Sequence, residues 1–130
     1  MRRFALAAGL LLLSAALVPG QTRGGWPGGE WEGKGYQTDS DSTWAMRLTA
    51  KGGDYTVEYP SLGCSGRWRL LSLSSRRAIF RETITSGVER CAQGGRVVLQ
   101  RLNARQLGYW FSQAGSKDYS ASAILNRRRR

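Results

Sequence analysis

Histidine is absent from the 130 residues, which removes Ser-His-Asp and Cys-His catalysis and every imidazole metal ligand. Cysteine occurs only twice, too few for a structural zinc site and enough for one disulfide. Acidic side chains number 9 against 20 Lys and Arg, a net charge of +11. So few carboxylates leave little scope for the flanking pair that acid–base hydrolysis requires. Neither a Gly-rich phosphate loop nor a Ser-x-x-Lys pattern occurs. After residue 18 no stretch is long and apolar enough to span a bilayer. These absences predict a non-catalytic chain with no metal, no cofactor and no transmembrane segment in its mature form.

What is present starts with an export signal. Arg2 and Arg3 precede an apolar run from Phe4 to Val18, and Val18-Pro19-Gly20 places small residues at the −3 and −1 positions. The pattern predicts a signal peptide over 1–20, cleaved before Gln21. The run is shorter than the ~20 residues of a membrane-spanning helix. Residues 21–29 (QTRGGWPGG) read as a flexible Gly-rich lead-in, 30–126 as one domain, and 127–130 as a basic tail. A secreted or periplasmic location follows.

Period-2 alternation recurs through the domain and no 3.6-residue period competes with it. Trp44, Met46, Leu48 and Ala50 alternate with Thr43, Ala45, Arg47 and Thr49, and Tyr55, Val57 and Tyr59 with Asp54, Thr56 and Glu58. The alternation predicts eight strands, near 30–37, 43–50, 54–59, 66–73, 77–85, 96–102, 106–112 and 118–126. Short strands at such spacing form an antiparallel up-and-down barrel or, alternatively, a β-sandwich. Connections two, four and six are short, whereas one, three and five are longer, so a meander gathers the elaborate loops at one end. Cys64 and Cys91 fall in connections three and five, at that same end. In an exported chain they are expected to form a disulfide.

Three stretches form a specific series: Tyr59-Pro60-Ser61-Leu62-Gly63-Cys64-Ser65-Gly66, Phe80-Arg81-Glu82-Thr83-Ile84, and Cys91-Ala92-Gln93-Gly94-Gly95-Arg96-Val97-Val98-Leu99. The series resembles a family of small exported bacterial β-domains, some stand-alone and some appended to larger extracytoplasmic proteins, over most of the span from Trp31 to Leu125. That family has no established activity, so the resemblance implies a fold and a disulfide and leaves function open. A looser similarity is to lipocalin and avidin barrels, in which Gly-x-Trp opens the first strand and a late basic residue packs on the Trp. Gly29-Glu30-Trp31 with Arg127 fits it, although Gly24-Gly25-Trp26 and Gly66-Arg67-Trp68 match the tripeptide equally. It favours barrel over sandwich.

Within such a barrel Glu82 shares the inward parity of Phe80 and Ile84. A buried carboxylate must be paired, hydrogen-bonded or protonated. Arg101, on the parity of Val97 and Leu99, is its candidate partner. Trp44, Tyr59 and Trp68 are the candidate walls of a ligand cavity, and the small Ala121 and Ala123 leave room for one. The same aromatics equally fill a solid core. Arg47, Arg67, Arg69, Arg77 and Arg81 share the outward parity, where Asp54 and Glu58 on strand three are placed to neutralise them. Arg127, Arg128, Arg129 and Arg130 are expected to contact anions. Nucleic acid is not an expected partner for an exported chain. The expected function is binding of an unknown small ligand in or at the mouth of the barrel. The alternative is a surface-binding or inhibitory module acting on an anionic envelope component or another protein.

Overall fold

The computed structural model describes residues 25–129. Eight strands follow in chain order: β1 (Gly29–Gln37), β2 (Ser42–Lys51), β3 (Asp54–Tyr59), β4 (Cys64–Leu73), β5 (Arg77–Ser86), β6 (Arg96–Asn103), β7 (Gln106–Ser112) and β8 (Ala121–Arg127). Each pairs antiparallel with the next and β8 returns to β1, so the sheet closes into an up-and-down barrel and not a sandwich. Closure leaves no sheet edge exposed. The leader, the start of the lead-in at 21–24 and Arg130 lie outside the described residues.

The alternation in sequence becomes an inside and an outside. Trp44, Met46, Leu48 and Ala50 of β2 are buried while their neighbours are exposed, and β3 repeats the pattern with Tyr55, Val57 and Tyr59. Register is pinned because a one-residue slip would carry each apolar set into water. The β2–β3 hairpin has Gly52 and Gly53 at φ of 60° and 84°, the two left-handed positions a tight type I′ turn requires. Connections two, four and six make one end compact; connections one, three, five and seven decorate the other.

Several strand ends shift by a residue, and three differences from the sequence reading bear on the site and the tail. Cys64 is the first residue of β4, paired with Tyr59, and not part of connection three. β8 begins at Ala121, because the Ser120 N–H turns back to the Phe111 carbonyl and 117–120 remain loop. It extends through Arg127, which pairs with Trp31, so the tail is shorter than expected. The described part of the lead-in is also anchored. The Trp26 indole N–H donates to the Ser74 carbonyl at 2.8 Å, and its ring packs against the core across the compact end. A large apolar ring gains more from burial there than a Gly-rich segment loses in freedom.

Candidate functional site

The decorated end opens into a cavity of about 180 Å³. Trp44 and Tyr59, from the mouth-side ends of β2 and β3, form one wall, and Tyr109 and Phe111 of β7 the other. Glu82 of β5 lines it, and Leu62, Arg90 and Cys91 reach it from connections three and five. Ala121 opens space on β8, as its small side chain suggests, and Gln37 and Gln113 complete the rim.

Glu82 is 3% exposed, the inward placement that strand parity predicts. Its cross-strand partner is Trp68, at a stretch of the β4–β5 ladder between two register shifts. The Trp68 indole N–H donates to Oε2 at 2.7 Å, and the Tyr59 hydroxyl donates to the same oxygen. Both bonds end on Oε2, so Oε1 takes no bond from the described residues. The Tyr109 and Tyr59 hydroxyls lie 3.4 Å apart. Burial raises the Glu82 carboxyl above its ordinary range, and the bonds from Tyr59 and Trp68 hold it back. Burial likewise pushes Tyr59 far up, with Tyr109 and Glu82 adding to the shift, and it is the main cause that Tyr109 is raised. Both phenols are therefore neutral donors at any physiological pH.

Arg101 is not the partner of Glu82. It pairs with the buried Leu107, yet it is exposed at the compact end, beside Trp26, Trp31 and Arg127 around a void of about 30 Å³. The Glu82 N–H bonds to the Gly95 carbonyl, so Arg101 sits about six residues, or roughly 20 Å, further along. Parity fixes the face of a strand and not the height. Neutral donors within the same band of the barrel satisfy the carboxylate instead. Trp68 likewise lies beneath the cavity, holding Glu82, and is not part of its wall.

Sequence reasoning missed two features of the mouth. The Trp44 indole N–H is buried without a hydrogen-bond partner. Its ring lies over Gly35, where a β-carbon would come within 2.4 Å of it. The Gln93 side-chain amide makes paired 2.8 Å bonds to the N–H and carbonyl of Ile84, standing in for strand backbone before β6 begins. The Gly35–Trp44 pairing depends on register and carries no local signal. Gln93, inside the Cys91–Leu99 stretch, was visible as a residue though not as a rung.

The expected Cys64–Cys91 disulfide is present, with Cα atoms 6.4 Å apart, inside the usual range. It joins the base of connection three to connection five at the cavity mouth, and it suits an oxidising environment. The arginine tail is partly engaged. The Arg127 guanidinium lies over Trp31, and Arg128 pairs with Glu32 at 3.6 Å, so both already have partners within the chain. Among the described residues no helix is long and apolar enough to cross a membrane. Comparison of the chain with protein-family models, curated proteins and solved structures finds no match.

Proposed function

We propose that the chain is an exported, non-catalytic binding domain that takes a compact ligand into the mouth of its barrel. The observation carrying this reading is an uncommitted carboxylate oxygen beside empty volume. Glu82 lines the 180 Å³ space, and its Oε1 takes no bond from the described residues while Oε2 takes two. An interior built only to be filled gains nothing from a carboxylate, whose burial is costly. The volume is below the ~300–1,000 Å³ of sites for drug-sized molecules, so the ligand is small. Catalysis by paired carboxylates is disfavoured because, among the described residues, Glu82 is the one acidic side chain lining the space. The family resemblance and the oxidised cysteines support export.

The test is a panel of fragments with fewer than about ten heavy atoms, read by the five Trp indole N–H resonances. Selective perturbation of the Trp44 signal is the expected result. A panel that leaves it unmoved overturns the reading.

One observation favours the surface-binding alternative. Arg69 pairs with Arg81 and Arg81 with Arg96 across β4, β5 and β6, a row of like charges with no acid within 4.0 Å among the described residues. Glu58 stands opposite Arg47 on the other side of β3, so it does not neutralise this row. The row fits an anionic envelope polymer. Retention on an anionic matrix that persists unchanged in Arg69→Thr/Arg96→Thr would dismiss it.

A further inference from the structure

The charge arrangement within the mouth specifies more than a small ligand. Glu82 has no basic partner among the described residues, and its two bonds come from neutral donors. In a chain of net charge +11 this is a departure, because buried carboxylates are ordinarily paired. Among the described residues the one basic side chain lining the cavity, Arg90, is 63% exposed and turned to Glu89 at 3.7 Å. Among the same residues Glu82 therefore has no countercharge, and the space it lines is open.

Around that space the aromatic rings stand at right angles. Trp44 meets Tyr59 at 81° and Tyr109 at 83°, with centroids 5.3 and 6.0 Å apart. All three rings line the space beside Glu82, and aromatic rings attract cations, most strongly where water is excluded. At ~30 Å³ per water, the cavity holds about six waters' worth of matter, room for a short carbon body.

We propose that the ligand is a compact organic ammonium, a primary amine or a quaternary ammonium. The ammonium lies against Glu82 and the rings of Trp44, Tyr59 and Tyr109, supplying the absent countercharge. This rests on the cavity reading above and narrows it to one charge class.

Choline and 3,3-dimethylbutan-1-ol form the decisive pair, because they share shape and hydroxyl and differ in charge. Titration of the unmodified protein, followed on the Trp44 indole resonance, is expected to show choline binding at least about tenfold more tightly than the alcohol. Glu82→Gln, which keeps the shape of the side chain, is expected to bring the two within about twofold. Should Glu82→Gln not fold, the ratio in the unmodified protein decides alone. Equal or tighter binding of the alcohol overturns the cation assignment while the cavity reading stands. Silence of both probes also overturns the cation assignment, and the fragment panel then decides the cavity reading separately. A choline preference undiminished in folded Glu82→Gln removes Glu82 from the site.

Discussion

The guanidinium of Arg127 lies 4.3 Å from the centroid of the Trp31 ring, joining the last residue of β8 to the first strand at the compact end. The same side chain donates from Nε to the Ala104 carbonyl at 3.2 Å and from Nη1 to the Gly28 carbonyl at 3.4 Å. Trp31 is buried and its indole N–H also ends on Gly28. Arg127 therefore caps the barrel rather than serving as a free cation. Arg127→Ala is expected to cost about 1–2 kcal/mol, and Arg127→Lys somewhat less, because a cation over the ring is kept while the planar fork is lost. Arg129→Ala should stay within about 0.5 kcal/mol. Urea denaturation of the three variants checks the order.

How much of this was legible follows from what each signal encodes. Alternation reports faces, so the inward set, including Glu82, could be read from β2, β3 and β5 directly. Loop lengths report ends, so the shared end of Cys64 and Cys91 was also readable. Height along the barrel and pairing across it are properties of register, which no local window contains. Arg101 was misassigned for that reason, and Trp44 over Gly35 could not be foreseen. The Gly-x-Trp signal at residues 29–31 was ambiguous among three tripeptides until Arg127 was seen seated on Trp31.

Glu82 carries a pH dependence whose sign is fixed by its surroundings. Burial raises its folded value above the ordinary 4.5, so between the two values the folded chain holds a proton the unfolded chain has released. The resulting stability is complete below 4.5 and is lost as pH rises through the folded value. Glu82→Gln lacks this loss, so its stability relative to the unmodified protein should rise with pH across that window. Denaturation midpoints from pH 4 upward, read as a difference between the two, test it. A difference that falls with pH would mean the hydrogen bonds from Tyr59 and Trp68 outweigh burial. Glu82→Ala, which strands both donors, should cost about 2–4 kcal/mol.

Gly35 is a spacer for the Trp44 ring, three of whose carbons lie within 2.5 Å of where a β-carbon would stand. Gly35→Ala should displace that ring and cost about 1–3 kcal/mol, as overpacking of a filled interior does. The effect should be local. Resonances of Tyr59 and Tyr109 at the mouth should move, while those of Trp31 at the compact end stay in place.

The Arg69–Arg81–Arg96 row makes an opposite prediction, a substitution that stabilises. Directly opposed like charges on neighbouring strands destabilise a sheet by a few tenths of a kcal/mol per pair. Arg69 is the position to change, because Arg81 also holds the Gly94 carbonyl at 2.8 Å. Arg69→Thr should gain about 0.2–0.5 kcal/mol at low ionic strength. The gain should vanish near 1 M salt, where screening acts over about 3 Å. A gain indifferent to salt would assign it to threonine's fit in a strand.

The disulfide joins the stability of the barrel to the shape of its mouth. Its 27-residue separation corresponds to roughly 3–4 kcal/mol in the chain-entropy account. Cys64 is a strand residue, paired with Tyr59, whereas Cys91 belongs to a connection and lines the cavity. The bond thus ties a loop to a wall. Connection five has a second tie, the Gln93 amide on Ile84, and a third contact where Gly87 packs on the Gly63 carbonyl. Removing the disulfide should therefore loosen 88–92 without releasing Gly95, whose carbonyl holds the Glu82 backbone. Cys64→Ser/Cys91→Ser should lose about 3–4 kcal/mol and keep the Trp68–Glu82–Tyr59 contacts. Hydrogen exchange should rise most in connection five, beyond the general rise that the lost stability brings, and ligand affinity should fall under conditions where the barrel remains folded. Affinity that survives the loosened loop would place recognition wholly on the strand residues of the mouth, Trp44, Tyr59, Glu82 and Tyr109.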